Sequence, residues 1–415
     1  MTDIYTTRET CRVCGGDKLK KILALGEQYI INFLDGDSKE EGILAPLDMM
    51  LCENKACSLV QLKHTVDPDL LYRNFWYKSG INQTMRNALT DITTQAKKKV
   101  PLVSGDIVVD IGANDGTLLR TYNQEGLVTV GFEPALNLMP EARQGTSSII
   151  NDYFNQKSFS ENFPGKKAKI VTSIAMFYDL ENPNQFVDDI KNVLAKDGVW
   201  INQMNYLKSM LALNAFDNIS HEHLEYYSLS SLEFLLRRHN LEVFDVELND
   251  LNGGSFRAYI GHKGQYPVTD RVQELRLSEA PLSSPEIYDA FAASIADMKS
   301  QTSDFIRKAV KEGKKVYAYG ASTRGNSLLQ FFGLDFNLIT AAAERNPVKW
   351  GKKMIGTNIP IISEDEARNA KPDYFLILPW AFVKEFVARE KAFFQSGGKF
   401  IVPLSKFRVI GQDNL

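Results

Sequence analysis

The sequence predicts an α/β protein in three parts: a small cysteine-bearing module over residues 1–72, a Rossmann-like sheet over 73–265, and a second Rossmann-like α/β domain over 280–415. Three observations lead there. All four cysteines, Cys11, Cys14, Cys52 and Cys57, fall in the first 57 residues of a 415-residue chain. Residues 106–203 alternate short β-type runs with helical ones, the rhythm of a parallel sheet covered by helices. A second such unit opens at KKVYAYGASTRGNSLLQFFG and continues through LITAAAERNP, PDYFLILPW and KFIVPLSK. The length also exceeds what one hydrophobic core usually serves.

The cysteines come as CRVC and CENKAC, a C-x2-C pair followed by Gly-Gly and a looser C-x4-C pair. Two close pairs in a reducing compartment point to one tetrahedral four-thiolate zinc site rather than to disulfides. The plain alternative is four buried or free thiols. Four thiolates would leave no open position, so the zinc would be structural, and a small module of this kind can depend on its metal to fold. LDMMLC and SLVQLKH read as strands around the second pair.

From DPDLLYRNFWYKSG onward the pattern turns helical, with Leu71, Phe75, Leu89 and Ile92 on one face and a break at KSG. DIVVDIG, LVTVGFEP, SSIIN, AKIVTSIA and GVWINQM are the strand candidates that follow. NPNQFVDDIKNVLAKDG reads as a helix ending on Gly198 as its C-cap. A helix, SLSSLEFLLRRHN, precedes two strands, LEVFDVELND and GSFRAYIGHK, joined by the reversal signal Asn-Gly-Gly. Five parallel strands closed by a hairpin is the topology of class I methyltransferases. GQYPVTDRVQELRLSEAPLSSPE reads as a polar separator, followed by a long helix over about 285–312.

DIVVDIGANDGTLL is the sharpest motif. A strand ends at Asp110, and Gly112, Asn114 and Gly116 form a turn where the backbone can approach a ligand and a helix N-terminus offers free N–H groups. GFEP places Glu133 at the end of the next strand, where an acid can accept both hydroxyls of a ribose. A glycine loop alone does not separate S-adenosylmethionine (SAM) from NAD or from a structural turn. The spacing D-x-G-x-x-x-G and the acid Asp115, which would repel a pyrophosphate and suits the amino group of a methionine, lean towards SAM. Asp152 and Phe154, after the third strand, are placed to hydrogen-bond and stack on adenine.

FDNISHEHLEYYS follows the fifth strand, so His221, Glu222 and His223 are expected over the bound methyl group. A protease-type zinc site needs histidines at i and i+4 on a helix, and here they stand two apart. Helix capping or backbone hydrogen bonding is the structural alternative. Proton transfer suits the cluster better, since a His-Glu pair fixes the tautomer of an imidazole and raises its basicity. Carbon can be deprotonated beside a ketone, and Tyr77 with Tyr226 or Tyr227 would steady the enolate oxygen.

Over its whole length the chain resembles the three-domain sugar C-methyltransferases, such as the C-3 enzymes acting on dTDP-4-keto-6-deoxy sugars of the mycarose and tetronitrose type. CRVC…CENKAC, VVDIGANDGTLL with GFEP, HEH with its tyrosines, and YGASTRGN carry the resemblance. It implies SAM as methyl donor, a structural zinc, His223 as the base, and Glu222 and Tyr77 beside the sugar. Two departures stand out: Ser220 occupies the position of a family tyrosine before HEH, and the second cysteine pair is one of C-x4-C rather than C-x2-C.

In the C-terminal domain, Ser322, Thr323, Arg324 and Asn326 lie at a strand-to-helix turn that suits a diphosphate, with Glu344 and Arg345 at a later strand end and Trp380 available to stack on a base. The resemblance implies that this domain grips the nucleotide diphosphate of the substrate; a scaffolding domain is the alternative. An O- or N-methyltransferase of another small molecule, and a non-catalytic zinc- and nucleotide-binding scaffold, are the rival functions. A net charge of −3 and a pI near 6.1 suggest no nucleic-acid partner. No apolar run approaches the roughly 18 residues of a membrane helix, and the N-terminus does not read as a signal peptide. The expectation is a cytoplasmic monomer or homodimer acting on a nucleotide sugar.

Overall fold

The computed structural model describes residues 4–30, 33–73, 75 and 77–414. Its central sheet has seven strands, in the order Leu241–Asn249, Ser255–His262, Leu194–Asn205, Ala168–Ile174, Ile107–Ile111, Val128–Phe132 and Ser148–Ile150. The last five run parallel, and the first two form an antiparallel hairpin on Leu194–Asn205. All residues of Ile107–Ile111 are buried, as a strand covered on both faces requires. The winding reverses between Ile107–Ile111 and Ala168–Ile174, which opens a crevice at their carboxyl ends. This is the expected class I arrangement.

Two local expectations are corrected. The helix Pro183–Val193 runs directly into the strand Leu194–Asn205, so Gly198 is no C-cap. A Cβ at Gly198 would meet the Ala168 carbonyl at 2.9 Å, and glycine there permits close strand approach. The expected polar separator contains the helix Asp270–Ser278, which buries Val272 and Leu275, a pair three residues apart on one face. The Glu279 carboxylate then accepts from Leu229 N, Ser230 N and the Tyr206 hydroxyl, clamping this segment to the central domain.

The N-terminal module is an antiparallel sheet of Leu19–Tyr29, Leu44–Cys52 and Val60–Leu62. Its fourth strand, Glu225–Tyr226, comes from just beyond HEH. The Phe33–Asp35 strand pairs with Lys352–Met354, so the same module also holds the C-terminal domain. That domain has a six-stranded sheet ordered Ile361–Ser363, Ala342–Glu344, Val316–Tyr319, Tyr374–Ile377, Lys399–Val402 and Arg408–Ile410, parallel except for the last strand. Its winding reverses between Val316–Tyr319 and Tyr374–Ile377. The long helix Pro285–Lys311 packs Tyr288, Phe291, Ile295, Met298 and Ile306 inward at helical spacing.

Candidate active site

Both reversal points open onto one cavity of about 630 Å3. From the central sheet come Asp110, near the end of the first parallel strand, with Gly112 and Asn114 after it, Glu133 after the second, and Asp152 and Phe154 after the third. From the C-terminal sheet come Ser322, Thr323 and Arg324 after one strand and Trp380 after another. Glu222, His223, Ser220 and Tyr77 line the space between them. A volume of this size is typical of small-molecule sites.

On the central-domain side, Gly112 takes φ +70° and its N–H, like that of Ala113, bonds the Phe132 carbonyl. The Glu133 carboxylate accepts from Asn114 N at 2.7 Å and Ala135 N at 2.8 Å, which ties the loop to the second strand and leaves further lone pairs facing the cavity. Burial raises both acids, Asp110 to about 8 against the opposing Thr172 hydroxyl at 2.6 Å. Such carboxyls welcome a cation, because an ammonium or sulfonium offsets the cost of burying their charge, and they repel a pyrophosphate. SAM fits this donor set. Phe154 stands edge-on to Phe132 and Phe186, offering an aromatic wall. Glu133→Gln is expected to weaken SAM binding by about 1.5–3 kcal/mol, the scale of a charged hydrogen bond; an unchanged dissociation constant in calorimetry would remove Glu133 from the site.

Two loop expectations, for Gly116 and Asp115, are corrected. Gly116 does not line the cavity; it caps a helix of only four residues, Thr117–Arg120, in the left-handed region, and a Cβ there would strike the Ala142 carbonyl at 2.7 Å. Asn114 lines the cavity, and its side chain also holds Ser79 N and the Tyr77 carbonyl. Asp115 accepts from Gly80 N and Thr117 N, so it steadies the same Tyr77–Gly80 segment.

The two histidines part company. His221 is buried outside the cavity with Nε2 on the Ala45 carbonyl at 2.9 Å. His223 lines the cavity and its Nδ1 lies 2.6 Å from the Asn218 carbonyl. A carbonyl only accepts, so Nδ1 carries the proton and Nε2 keeps its lone pair. The backbone, rather than Glu222, therefore sets this tautomer. Burial lowers the imidazole to about 4, keeping it neutral in neutral solution. Burial raises Glu222 to about 7. Tyr227 is wholly buried against Phe177 and away from the cavity, and Tyr226 is also absent from the lining. Tyr77 does line it.

On the C-terminal side, Ser322 Oγ caps the helix Thr323–Phe332 by accepting from Gly325 N. Asn326 is buried, its amide donating to the Ile355 carbonyl, and Arg345 is exposed outside the cavity, so neither joins the expected diphosphate cradle. Glu344 is held by Ala321 N. Arg324 and Trp380 both reach across to Asp217.

Sequence reasoning passed over Tyr178, Asp179, Asp217 and Glu181, all of which line the cavity. Tyr178 meets the His223 ring edge-on at 4.6 Å. Glu181 is gripped from the N-terminal module by Arg8 and Arg12. MFYDLE sits at the carboxyl end of the fourth strand, where ligand groups collect, and that position was the available signal.

Apart from this cavity, the sulfurs of Cys11, Cys14, Cys52 and Cys57 lie within 4.8 Å of one another, with no disulfide among them. Tetrahedral bonds of about 2.3 Å to zinc would separate the sulfurs by roughly 3.8 Å, close to the observed 3.5 Å for Cys14–Cys52 and 3.7 Å for Cys11–Cys57. The Gly16 N–H points at Cys14 Sγ, as in a zinc knuckle. The four thiolates fit one zinc ion.

Three family models match successive stretches of the chain. Residues 11–72 match a family described as "Putative zinc binding domain", 81–246 one described as "Methyltransferase domain", and 250–405 one described as "C-methyltransferase C-terminal domain". The C-methyltransferase NovU of Streptomyces niveus is 31% identical over 420 residues, covering 100% of both chains. Among solved structures, a SAM-dependent methyltransferase from Clostridium acetobutylicum is 12% identical, covers 43% of this chain and 92% of its own, and has a TM-score of 0.34. The N-methyltransferase NodS from Bradyrhizobium japonicum is 11% identical, covers 44% and 98%, and has a TM-score of 0.34. These two likenesses are too distant to carry an argument.

Proposed function

Because the chain belongs to the C-methyltransferase family that includes NovU, and is a SAM-dependent methyltransferase, we propose that it methylates the carbon beside the ketone of a nucleotide-linked sugar, of the dTDP-4-keto-6-deoxy type, with His223 as the base. The observation that carries this reading is the contact of His223 Nδ1 with the Asn218 carbonyl, which leaves Nε2 of this cavity-lining imidazole with its lone pair, in a cavity shared by the SAM loop and the C-terminal domain.

Bound SAM supplies an electrophilic methyl group. His223 Nε2 takes the proton from the carbon next to the ketone, and the electron pair moves onto the carbonyl oxygen as an enolate. SAM, which Asp110 and Glu133 are suited to hold, would give its methyl to the enolate carbon, the electrons of the carbon–sulfur bond staying on sulfur. The proton remains on His223 until solvent removes it. Tyr77 stands at the cavity wall as the candidate donor to the enolate oxygen; it is 45% exposed, and a phenol of ordinary acidity is protonated in neutral solution. Ser322, Thr323 and Arg324 line the C-terminal side of the same cavity, which supports a role at the diphosphate end. Glu222 is the second candidate base, and its carboxyl near 7 makes the two distinguishable.

The test is enzyme-dependent exchange of solvent deuterium into a dTDP-4-keto-6-deoxy sugar, followed by NMR against pH. A base must be deprotonated to act, so a rate governed by His223 rises to a plateau above about pH 4 and stays level through neutrality. Control by Glu222 would put the midpoint near 7. Exchange at no carbon, and no methylation there with SAM, would overturn the ketone-adjacent assignment.

A further inference from the structure

One carboxylate stands between the C-terminal domain and the base. Asp217 Oδ2 accepts from Arg324 Nε at 3.0 Å, from Arg324 Nη2 at 2.8 Å and from Trp380 Nε1 at 3.1 Å. Its other oxygen, Oδ1, is buried with no hydrogen-bond partner. Arg324 opens the helix Thr323–Phe332 and Trp380 follows the strand Tyr374–Ile377, so both residues flanking the C-terminal reversal point converge on one atom of the central domain. Asp217 belongs to the short turn Phe216–Asn218, and the next residue's carbonyl is the acceptor for His223 Nδ1. Asn205 Nδ2 secures the far side of that turn through Asn218 Oδ1 at 3.0 Å. A second contact runs in parallel, since a Cβ on Gly253, in the hairpin turn, would lie 3.1 Å from the Trp380 ring.

We propose that Asp217 is a positioning residue: it fastens Arg324 and Trp380 to the turn that sets the tautomer of His223, so that seating of the acceptor on the C-terminal domain and readiness of the base are one event. This rests on the reading of His223 as the base. The sequence of contacts is short and each link is charged or buried, so a displacement of the C-terminal domain is passed to the Asn218 carbonyl instead of being absorbed. The groups facing His223 are the Tyr178 ring, the Arg324 guanidinium, the neighbouring Glu222 and, beyond Tyr178, Asp179. Burial most of all, and then Arg324, disfavour the imidazolium, whereas the Asn218 carbonyl favours it.

The experiment follows the imidazole nitrogens of the five histidines by 15N NMR in the full-length chain, with His223 assigned from its loss in His223→Gln. Wild type is expected to show a single His223 tautomer protonated at Nδ1. In Asp217→Ala the tautomer should become mixed, and the titration midpoint should drop further below the ordinary 6.5, because Arg324 loses its counter-charge and the Asn218 acceptor is loosened. Deuterium exchange into the keto sugar should fall on the order of 100-fold, the cost of a misplaced catalytic group, with SAM affinity unchanged. Asp217→Glu should recover part of the loss. Trp380→Phe, which deletes one donor and keeps an aromatic side chain, should shift both readouts in the same direction by less, and it decides the matter should Asp217→Ala not fold. An unaltered tautomer and midpoint in these variants would overturn the proposal. A wild type that exchanges no keto sugar sinks the substrate reading alone, because the NMR readout needs no substrate.

Discussion

Replacing His223 with alanine is expected to reduce methyl transfer by roughly 10²–10⁴-fold, the usual contribution of a general base, while SAM binds as in wild type. The separation follows from the geometry. The groups suited to hold SAM, Asp110 and Glu133, lie at the carboxyl ends of two strands of the central sheet and make no hydrogen bond to His223. His221→Ala is the control. That side chain holds the Ala45 carbonyl in the N-terminal module, so its loss should cost about 1–3 kcal/mol of stability and spare turnover per folded molecule. Single-turnover assays with calorimetric SAM affinities read both. Turnover by His223→Ala within a few-fold of wild type would move the base elsewhere, with Glu222 the first candidate.

Loss of the zinc is expected to have the largest effect on stability. Structural zinc binding in small modules is worth about 10–16 kcal/mol, comparable with the whole stability of an ordinary domain. Cys57→Ser should therefore lose stoichiometric metal and melt far below wild type. Activity should fail along with it, although no cysteine lines the cavity. Two routes explain why. Arg12, next to Cys11, is buried and holds the cavity residue Glu181 at 3.1 Å. The strand Val60–Leu62, near Cys57, pairs with Glu225–Tyr226, two residues past His223. Metal analysis, thermal melting and methyl transfer on one preparation test this together. A Cys57→Ser protein with wild-type melting and turnover would show the metal to be dispensable.

Much of the fold was legible because its determinants are local. Cys-x-x-Cys followed by glycines, apolar runs alternating with helical ones, and Asn-Gly-Gly between two strands each act within a few residues. The SAM loop was legible for the same reason, although what its members do was not. Asn114 and Asp115 look like ligand groups in a one-dimensional reading, yet they secure Tyr77 and Gly80, which arrive from another part of the chain. His221 and His223 cannot be ranked by sequence, since residues two apart differ only in what each meets. One meets Ala45 and the other Asn218. Asp217 was passed over because its importance lies in partners more than a hundred residues away. The helix Asp270–Ser278 was hidden by a polar composition in which two buried residues, Val272 and Leu275, suffice to dock it.

The fourth strand of the N-terminal sheet has a consequence for how the protein is made. Val60–Leu62 leaves the ribosome long before Glu225–Tyr226, on the order of ten seconds earlier at ordinary rates of translation. Through that interval the nascent sheet presents an open edge, the feature by which unfinished chains pair wrongly with one another. Early metal capture would steady the module without closing that edge. Truncation or ribosome stalling before residue 225 should thus yield a chain more prone to aggregate than one released just after it. For the same reason the N-terminal module is a poor candidate for grafting onto another enzyme, because one of its strands is encoded in the body of its host.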